Sequence, residues 1–595
     1  MDMIRNLRRW WEKNIGNEWL LLGLILVVAV WPFLSRADLP QETDAELHIF
    51  RLAELERLVR EGIWYPRWAP NFYMGYGYPI FNYYAPLSYY AGLPVALLPG
   101  MNAVEGVKFV FVLGLGLGAA GMYGLGRDNW GRPAGYVAAA TFLYAPYIQY
   151  IDPHARGVLA ESFALGLLPF SWWLLQRGQA RVTMGRWWGV VLSVAAVALA
   201  HNLMTMVSCG LLLAWLVWSL VAERRRENWL MLAAFGLGIG VSAFFWGPVA
   251  LERNAINLNT LIGEGDNFDF RTHFLSVGEL LRPWARLDWR ATEPEFHFSL
   301  GLAAWLGALM GVGVWLWQGR RGWLAEKGSW WRGKWWFLSF LVMAGAGLLF
   351  LMSAVSAPVW EWVPVLPFLQ FPWRLLGATA VILGLLAGAG VAEVGAWLGA
   401  ERGRWLALAG VALPMILGWP ASQASPWPAD FGPVDTGQVF DIEFRGRWLG
   451  TTSTADFVPA TVELVPYSVV QLAKSLLAGE PLDPVNYAAV PAGVEVDTAH
   501  INSLHKEIRV RSEEDWALRL FIFDFPGWEV RVDGELVETD LGRPEGFIVV
   551  PLTAGEHLVV VSFETTGARQ LSWGITVVAL LLAGVGGYWW GERRG

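Results

Sequence analysis

A succession of long apolar stretches, about twelve of them, constrains this chain more than any other feature, because each approaches the roughly 20 residues that a helix needs to cross a bilayer. They run near 18–34, 104–125, 133–150, 158–176, 187–200, 203–221, 228–249, 298–318, 335–355, 375–398, 405–420 and 571–590. With 55% hydrophobic and 16% charged residues, the composition lies outside the balance of a soluble globular chain. The expected class is a polytopic α-helical membrane protein with about twelve transmembrane helices.

Basic residues fall in alternate connections: Arg5/Arg8/Arg9/Lys13, Arg127/Arg132, Arg177/Arg181/Arg186, Arg224/Arg225/Arg226, Arg320/Arg321/Lys327/Arg332/Lys334, Arg402/Arg404 and Arg593/Arg594. The positive-inside rule makes these connections and both termini cytoplasmic. The opening MDMIRNLRRWWEKN resembles the start of a signal peptide, but no small-residue cleavage site follows, and the apolar run is long enough to stay as an anchor. The 38 tryptophans gather largely near segment ends, as interfacial belts do.

Everything else is then extracytoplasmic. The expected organisation is a transmembrane domain over 1–420 with outer loops 35–103 and 250–297, a β-rich domain over 421–570, and a last span with a short tail over 571–595. Strands are predicted at Ile508–Arg511, Ala517–Phe523, Trp528–Val532, Phe547–Pro551 and His557–Glu564. Asp533-Gly534 is a two-residue hairpin signal, and the domain reads as a small β-sandwich, either an acceptor-binding module or a cap on the membrane part.

Several function classes drop out. The single Cys209 allows neither an intrachain disulfide nor a thiol-ligated metal cluster. A net charge of −8 without a basic stripe gives no footing for nucleic acid. No Walker loop, dinucleotide fingerprint, HExxH or paired CxxC is present, and a cytosolic nucleotide sugar would lie across the membrane from the polar clusters.

The first of those clusters lies in QETDAELHIFRLAELERLVREGIWYPRWAPNFYMGYGYPIFNYYAPLSYY, residues 41–90. Thr43 with Glu46 fits a capping box, so a helix is expected from Asp44 to about Glu61 with Asp44, His48 and Arg51 on one face. A carboxylate in the first turn is favoured by the helix dipole, which would keep Asp44 ionised as a base; alternatively Asp44 only supports the helix end. Trp68, Tyr76, Tyr78, Tyr83 and Tyr84, with neighbouring aromatics, offer faces and hydroxyls for a sugar or acceptor, or form an interfacial belt.

Asp152, Arg156 and Glu161 follow at a membrane boundary, where ionisable groups are costly unless paired or hydrated. A structural salt bridge and a phosphate site both account for them. His201-Asn202 sits where the stretch 187–221 must double back, again outside. Arg374, in LQFPWRLL before the tenth span, can hold a phosphate through two parallel hydrogen bonds or anchor the segment at the interface.

DAELHIFR, PRWAPNFYMGYGYPIFNYYAPL, DPHARGVLAE, LQFPWRLL, TTSTADFVP at Thr451–Pro459, FPGWEVRVDGE and VPLTAGEH together give the chain a resemblance, over nearly its whole length, to the bacterial 6-pyruvoyl-tetrahydropterin synthase-related, YfhO-like membrane proteins and the glycosyltransferase C superfamily. The resemblance implies a bacterial plasma-membrane enzyme of glycosyltransferase C-like fold. It would move a sugar, with inversion, from a polyprenyl-phosphate donor to a cell-surface glycan, lipid or protein. On that analogy Asp44 is the base, Arg156 and Arg374 steady the departing phosphate, and His48, Asp152 and Glu161, with Arg51, His201 and Asn202 in support, shape the site or hold a metal. Some relatives use a divalent cation such as Mg or Mn and others do not, so the metal stays open, and the loop carries one aspartate where an acidic pair is common. The other reading is a non-catalytic or transporting membrane protein that binds lipid-linked glycan.

Overall fold

The computed structural model describes residues 16–39, 43–257, 268–292, 294–322, 329–423, 434–453 and 456–591. The basic residues Arg5, Arg8, Arg9, Lys13, Lys327, Arg593 and Arg594 of the topology argument lie outside the described residues, as do 258–267 and 424–433 of the two large connections.

Among the described residues seven helices are long and apolar enough to span a membrane: Ala103–Trp130, Asn202–Ala222, Leu302–Arg320, Gly333–Leu351, Pro372–Leu398, Ala400–Ser422 and Gly567–Trp589. An eighth span is the pair Arg226–Val241 and Ala243–Leu251, bent by 62°. The bend has a local cause: the Phe244 N–H donates to Thr576 Oγ1 (2.8 Å) on the last helix instead of to a carbonyl one turn back.

The remaining predicted spans are helical but differently divided. Residues 18–34 form Gly16–Ala29 and Trp31–Ser35, the second opening on Pro32. The apolar run 133–150 stops being an α-helix at Leu143 and passes, after Pro146, into a ten-residue π-helix, Tyr147–Arg156. Hydropathy sees only a continuous apolar run there and cannot register a change of helix type. Leu159–Ala180 and Met184–Ala200 complete the set.

The helix Leu375–Leu398 is the buried axis of the bundle, and glycine lets its neighbours approach it. A Cβ at Gly388 would stand 2.5 Å from the Ala134 carbonyl oxygen, and one at Gly390 2.6 Å from the Gly311 amide nitrogen. Such backbone-to-backbone packing is how helices associate where lipid removes the hydrophobic drive between them.

One face of the bundle carries two antiparallel sheets, ordered β1-β2-β8-β4-β5 and β3-β7-β6, where β1 is Glu495–Asn502, β2 His505–Ser512, β3 Trp516–Phe523, β4 Trp528–Val532, β5 Glu535–Leu536, β6 Asp540–Gly542, β7 Phe547–Leu552 and β8 Gly555–Phe563. Each predicted strand falls on one of these to within three residues. Val532 pairs with Glu535, and Asp533 (φ 53°) and Gly534 (φ 91°) both take the left-handed backbone that the Asp-Gly turn signal implies. Ile508, Val510, Leu518, Leu520, Val550, Val559 and Val561 alternate inward to fill the core between the sheets. Two helices that the strand periodicity did not announce, Thr436–Phe444 and Val470–Ala478, precede the sheets.

The aromatic run between Trp68 and Tyr83 is the joint between bundle and sheets. Trp68 meets Phe525, Trp528 and Phe563; Tyr76 meets Phe521, Phe523 and Phe547; Tyr83 stacks on Phe457. Trp68, Tyr76, Tyr78 and Tyr83 are all buried. Their rings pack within this joint and are not an open surface, and Trp68 and Tyr76 also line a cavity of about 230 Å³ beside it.

Glu443 locks this joint. Its Oε1 accepts the N–H groups of Tyr73 and Gly450 (2.9 Å each) and its Oε2 that of Met74 (2.5 Å). Tyr73 and Met74 hold positive φ, 57° each, so the carboxylate satisfies a turn that sterics alone disfavour. Glu443→Ala would strand three buried donors and is expected to cost about 3 kcal/mol, read as a lower thermal midpoint of the purified protein. Burial pushes the Glu443 carboxyl up to about 7, against the pull of its backbone hydrogen bonds. Because that lies above its ordinary 4.5, its contribution to stability falls as pH rises from about 4.5 to 7 and is constant above. The alanine variant should lose that part of the pH dependence.

Candidate functional site

Thr43 caps the helix Asp44–Arg60, its Oγ1 accepting the Ala45 N–H at 3.3 Å. The capping box is only half made. Glu46 turns away to Arg447 and to the Trp448 indole N–H (2.7 Å), both in the segment that follows the helix Ala400–Gly418. The helix therefore starts where the sequence places it, while its first-turn glutamate ties it to the segment before the sheets.

Asp44, His48 and Arg51 share one side of the helix, as expected from the i, i+4, i+7 spacing. His48 Nδ1 is 2.9 Å from the Tyr89 hydroxyl. Arg51 donates from Nε (3.0 Å) and Nη2 (2.6 Å) to the Thr451 carbonyl and from Nη1 to Tyr89 Oη (3.1 Å), and its guanidinium lies 4.2 Å from the Tyr84 ring centre. His48 and Tyr89 are buried, whereas Asp44 and Tyr84 are half-buried and can meet a ligand.

The π-helix brings the second cluster to the same point. Arg156 Nη1 donates to Asp152 Oδ1 (2.7 Å), Tyr147 Oη (3.0 Å) and Glu161 Oε2 (3.2 Å), and its guanidinium stacks 4.7 Å from the Trp373 ring. Ser162 Oγ donates to Asp152 Oδ2 (2.6 Å), and the Tyr147 hydroxyl to Glu161 Oε1 (2.6 Å). Arg374 completes the group, with Nε 3.3 Å from Glu161 Oε2 and Nη1 donating to the Leu369 carbonyl (2.9 Å) and Gln370 Oε1 (3.0 Å). Asp152 and Glu161 are sealed from solvent, at 1% and 0% exposure. They orient the arginines and do not face a ligand. Arg374 hydrogen-bonds only through Nη1, and its buried Nε has no hydrogen-bond acceptor, its nearest charge being Glu161. Arg156 commits only Nη1 among the described residues.

Gly157 makes the junction. It follows Arg156 in the left-handed conformation (φ 74°), and a Cβ there would stand 2.7 Å from the Ala45 nitrogen and 2.8 Å from Thr43 Oγ1. The end of the π-helix thus rests directly on the beginning of the Asp44–Arg60 helix. Gly157→Ala is expected to push the two apart, costing about 1–2 kcal/mol in backbone strain and, through displacement of Asp44 from Arg156, about 10²-fold in any reaction at Asp44. Steady-state rates set beside thermal midpoints would separate the two effects.

His201 and Asn202 close the far side. His201 Nδ1 accepts the Met204 N–H (3.1 Å) as a helix cap, and its ring stands edge-on to Tyr84 at 6.3 Å. Asn202 bridges the Ala85 N–H (2.9 Å) and the Tyr83 carbonyl (2.7 Å). The turn predicted from the 187–221 stretch therefore holds Tyr84 in place.

Asp44 lies within electrostatic reach of Arg156, Arg51 and Arg374, with Glu161 opposing them. Burial nonetheless raises its carboxyl above the ordinary range, opposite to the direction expected from the helix dipole, because removal of water outweighs the attraction of the guanidinium groups. One participant was not among the sequence candidates: half-buried Asp456, in reach of both Arg51 and Asp44 and pushed up to about 6 by burial. The neighbouring Phe457 N–H donates to Tyr78 Oη (2.7 Å), which fixes that loop against the aromatic joint. No spacing rule links its segment, TTSTADFVP, to Asp44. Among the described residues no three His, Cys, Asp or Glu side chains assemble into a metal site.

A family model described as "6-pyruvoyl-tetrahydropterin synthase related domain; membrane protein" matches residues 81–418. No curated protein matches the chain. Among solved structures it is similar to the apo oligosaccharyltransferase of Archaeoglobus fulgidus, at 13% identity and a TM-score of 0.46, over 71% of this chain and 57% of that one. It is also similar to the arabinofuranosyltransferase AftD from Mycobacteria (16%, TM-score 0.39, 72% and 27%) and to ArnT from Cupriavidus metallidurans bound to undecaprenyl phosphate (16%, 0.35, 77% and 77%). The chain thus spans little more than half the length of the archaeal transferase.

Proposed function

The chain belongs to the 6-pyruvoyl-tetrahydropterin synthase-related family of membrane proteins, and from that premise we propose that it is an inverting glycosyltransferase that takes its sugar from a polyprenyl-phosphate donor. The observation that carries the reading is a half-buried carboxylate, Asp44, with a raised proton affinity and three guanidinium groups in electrostatic reach, where the bundle meets the sheets. A raised carboxylate is a better base near neutrality. Fixed positive charge is what a departing phosphate needs.

In the proposed step the acceptor hydroxyl attacks the anomeric carbon and gives its proton to Asp44. The bond from that carbon to the lipid phosphate breaks, and its electron pair leaves on the phosphate oxygen. Arg156 faces the growing charge with the donors it has not spent inside the protein. Arg374, Glu161 and Asp152 hold Arg156 in place, Arg51 and His48 hold Tyr84 and Tyr89, and Asp456 supplies a second carboxylate for the acceptor's hydroxyls. We place this face outside the cytoplasm because the basic connections of the sequence belong to the opposite side of the bundle. The acceptor is then a cell-surface glycan, lipid or protein.

The test is donor class. Purified protein in lipid discs is expected to release or transfer radiolabelled sugar from polyprenyl-phosphate sugars and not from nucleotide sugars. Binding of the lipid donor without turnover, across several sugars and with acceptor extract added, would instead identify a protein that only binds or moves lipid-linked glycan.

A further inference from the structure

At the end of the π-helix opposite Gly157 lies a second opening, a cavity of about 250 Å³ lined by Tyr144, Pro146, Trp284, Arg286, Pro414 and Leu417 among others. We propose that it is a binding groove for the phosphate end of a membrane lipid, with Arg286 and the first turn of the helix Leu302–Gly322 as the phosphate contacts.

Three independent features meet there. First, the groove is built at the ends of apolar helices, since its wall residues close Arg132–Leu143, open Leu302–Gly322 and end Ala400–Gly418. Leu306, Leu309, Leu413 and Ile416 continue along the last two helices as exposed apolar side chains, a surface that acyl or prenyl chains cover and water does not. Second, its polar end is positive. Arg286 Nη2 donates to the Gln423 carbonyl at 3.3 Å, but its Nε is buried without an acceptor. A buried guanidinium N–H left unpaired costs free energy that an anionic oxygen would recover. Third, Gly301, Leu302, Ala303 and Ala304 line the cavity, and the Leu302 and Ala303 N–H groups have no acceptor among the described residues. These are donors at the positive end of a 21-residue helix, and they point with the arginine to a phosphate.

Gly301 shows why this wall can be so close to the π-helix: it holds φ 83°, and a Cβ there would stand 2.7 Å from Pro146 Cδ. The groove and the Asp44 centre therefore share one rigid element, entered at Pro146 and left at Arg156. The proposal does not depend on catalysis. A lipid seated here would buttress the segment that carries Arg156 whether or not the centre turns over.

The experiment is native mass spectrometry of the full chain released from detergent, loaded with phosphatidylglycerol or with a neutral galactolipid of the same acyl chains, and separately with polyprenyl phosphate or the free polyprenol. Wild type is expected to retain the phosphate lipids over their neutral counterparts. Arg286→Ala should lower that retention about tenfold, the equivalent of one charge-assisted hydrogen bond, and Arg286→Lys should restore part of it. Ala303→Phe, which fills the cavity without touching the charge, should lower it as well and covers the case in which the arginine variant folds poorly. Preference for phosphatidylglycerol or for polyprenyl phosphate upholds the groove in either case and names its source. Unchanged retention in both Arg286→Ala and Ala303→Phe overturns the proposal, as does displacement of the lipid by inorganic phosphate alone.

Discussion

Asp44→Asn is expected to lower sugar transfer by about 10²- to 10⁴-fold, the range that a positioned general base contributes. The substitution is nearly isosteric, and Thr43, not Asp44, caps the helix, so the fold should survive it. The control is an unchanged thermal midpoint. The pH profile gives a second readout. Burial raises the Asp44 carboxyl, so the wild-type rate should fall with acid at a higher pH than an exposed aspartate would produce. Below that point the base is protonated and cannot accept the hydroxyl proton; above it the rate is flat. The residual rate of the asparagine variant should lack this limb, and an acid limb that persists in it would move the role of base to Asp456.

Glu161→Ala should be the most destabilising single change at the centre, at about 3–5 kcal/mol. The fully buried carboxylate faces Arg156 Nη1 at 3.2 Å, Arg374 Nε at 3.3 Å and the Tyr147 hydroxyl at 2.6 Å. Its removal leaves two guanidinium groups packed against aromatic rings with one carboxylate, Asp152, near them. The energy lost is mainly that of stranding buried charge, which is why the isolated attraction of such a pair is a poor guide to it. Detergent-solubilised variant should unfold at a clearly lower temperature than wild type. A midpoint equal to that of wild type would mean that Arg156 and Arg374 find other counter-ions, and the positioning role assigned to Glu161 would fall.

Residues close in sequence were the legible part of the site. Asp44, His48 and Arg51 follow from helical spacing, and Asp152, Arg156 and Glu161 from the cost of charge at a membrane boundary. His201 and Asn202 follow from a stretch too long for one crossing. Asp456 was not legible, because its approach to Asp44 depends on how the segment between the helix Ala400–Gly418 and the sheets folds back over the loop. The aromatic run was legible as a cluster but not in its purpose. Composition marks Trp68, Tyr76, Tyr78 and Tyr83 as amphipathic surfaces; only the sheets above them show that the surface is internal.

Hydropathy and charge order, read along the chain, determine the helical membrane architecture, because the bilayer imposes a length and a polarity on each segment regardless of its neighbours. Period-two alternation and one Asp-Gly turn determine the strands of the sheets in the same local way. The tertiary structure decided the change to π-helix at Tyr147, the seat of Gly157 on Ala45, the sealing of Asp152 and Glu161, and the upward shift of Asp44. Each of these depends on which atoms exclude water from which charge, a property of residues distant in the chain that no local pattern encodes.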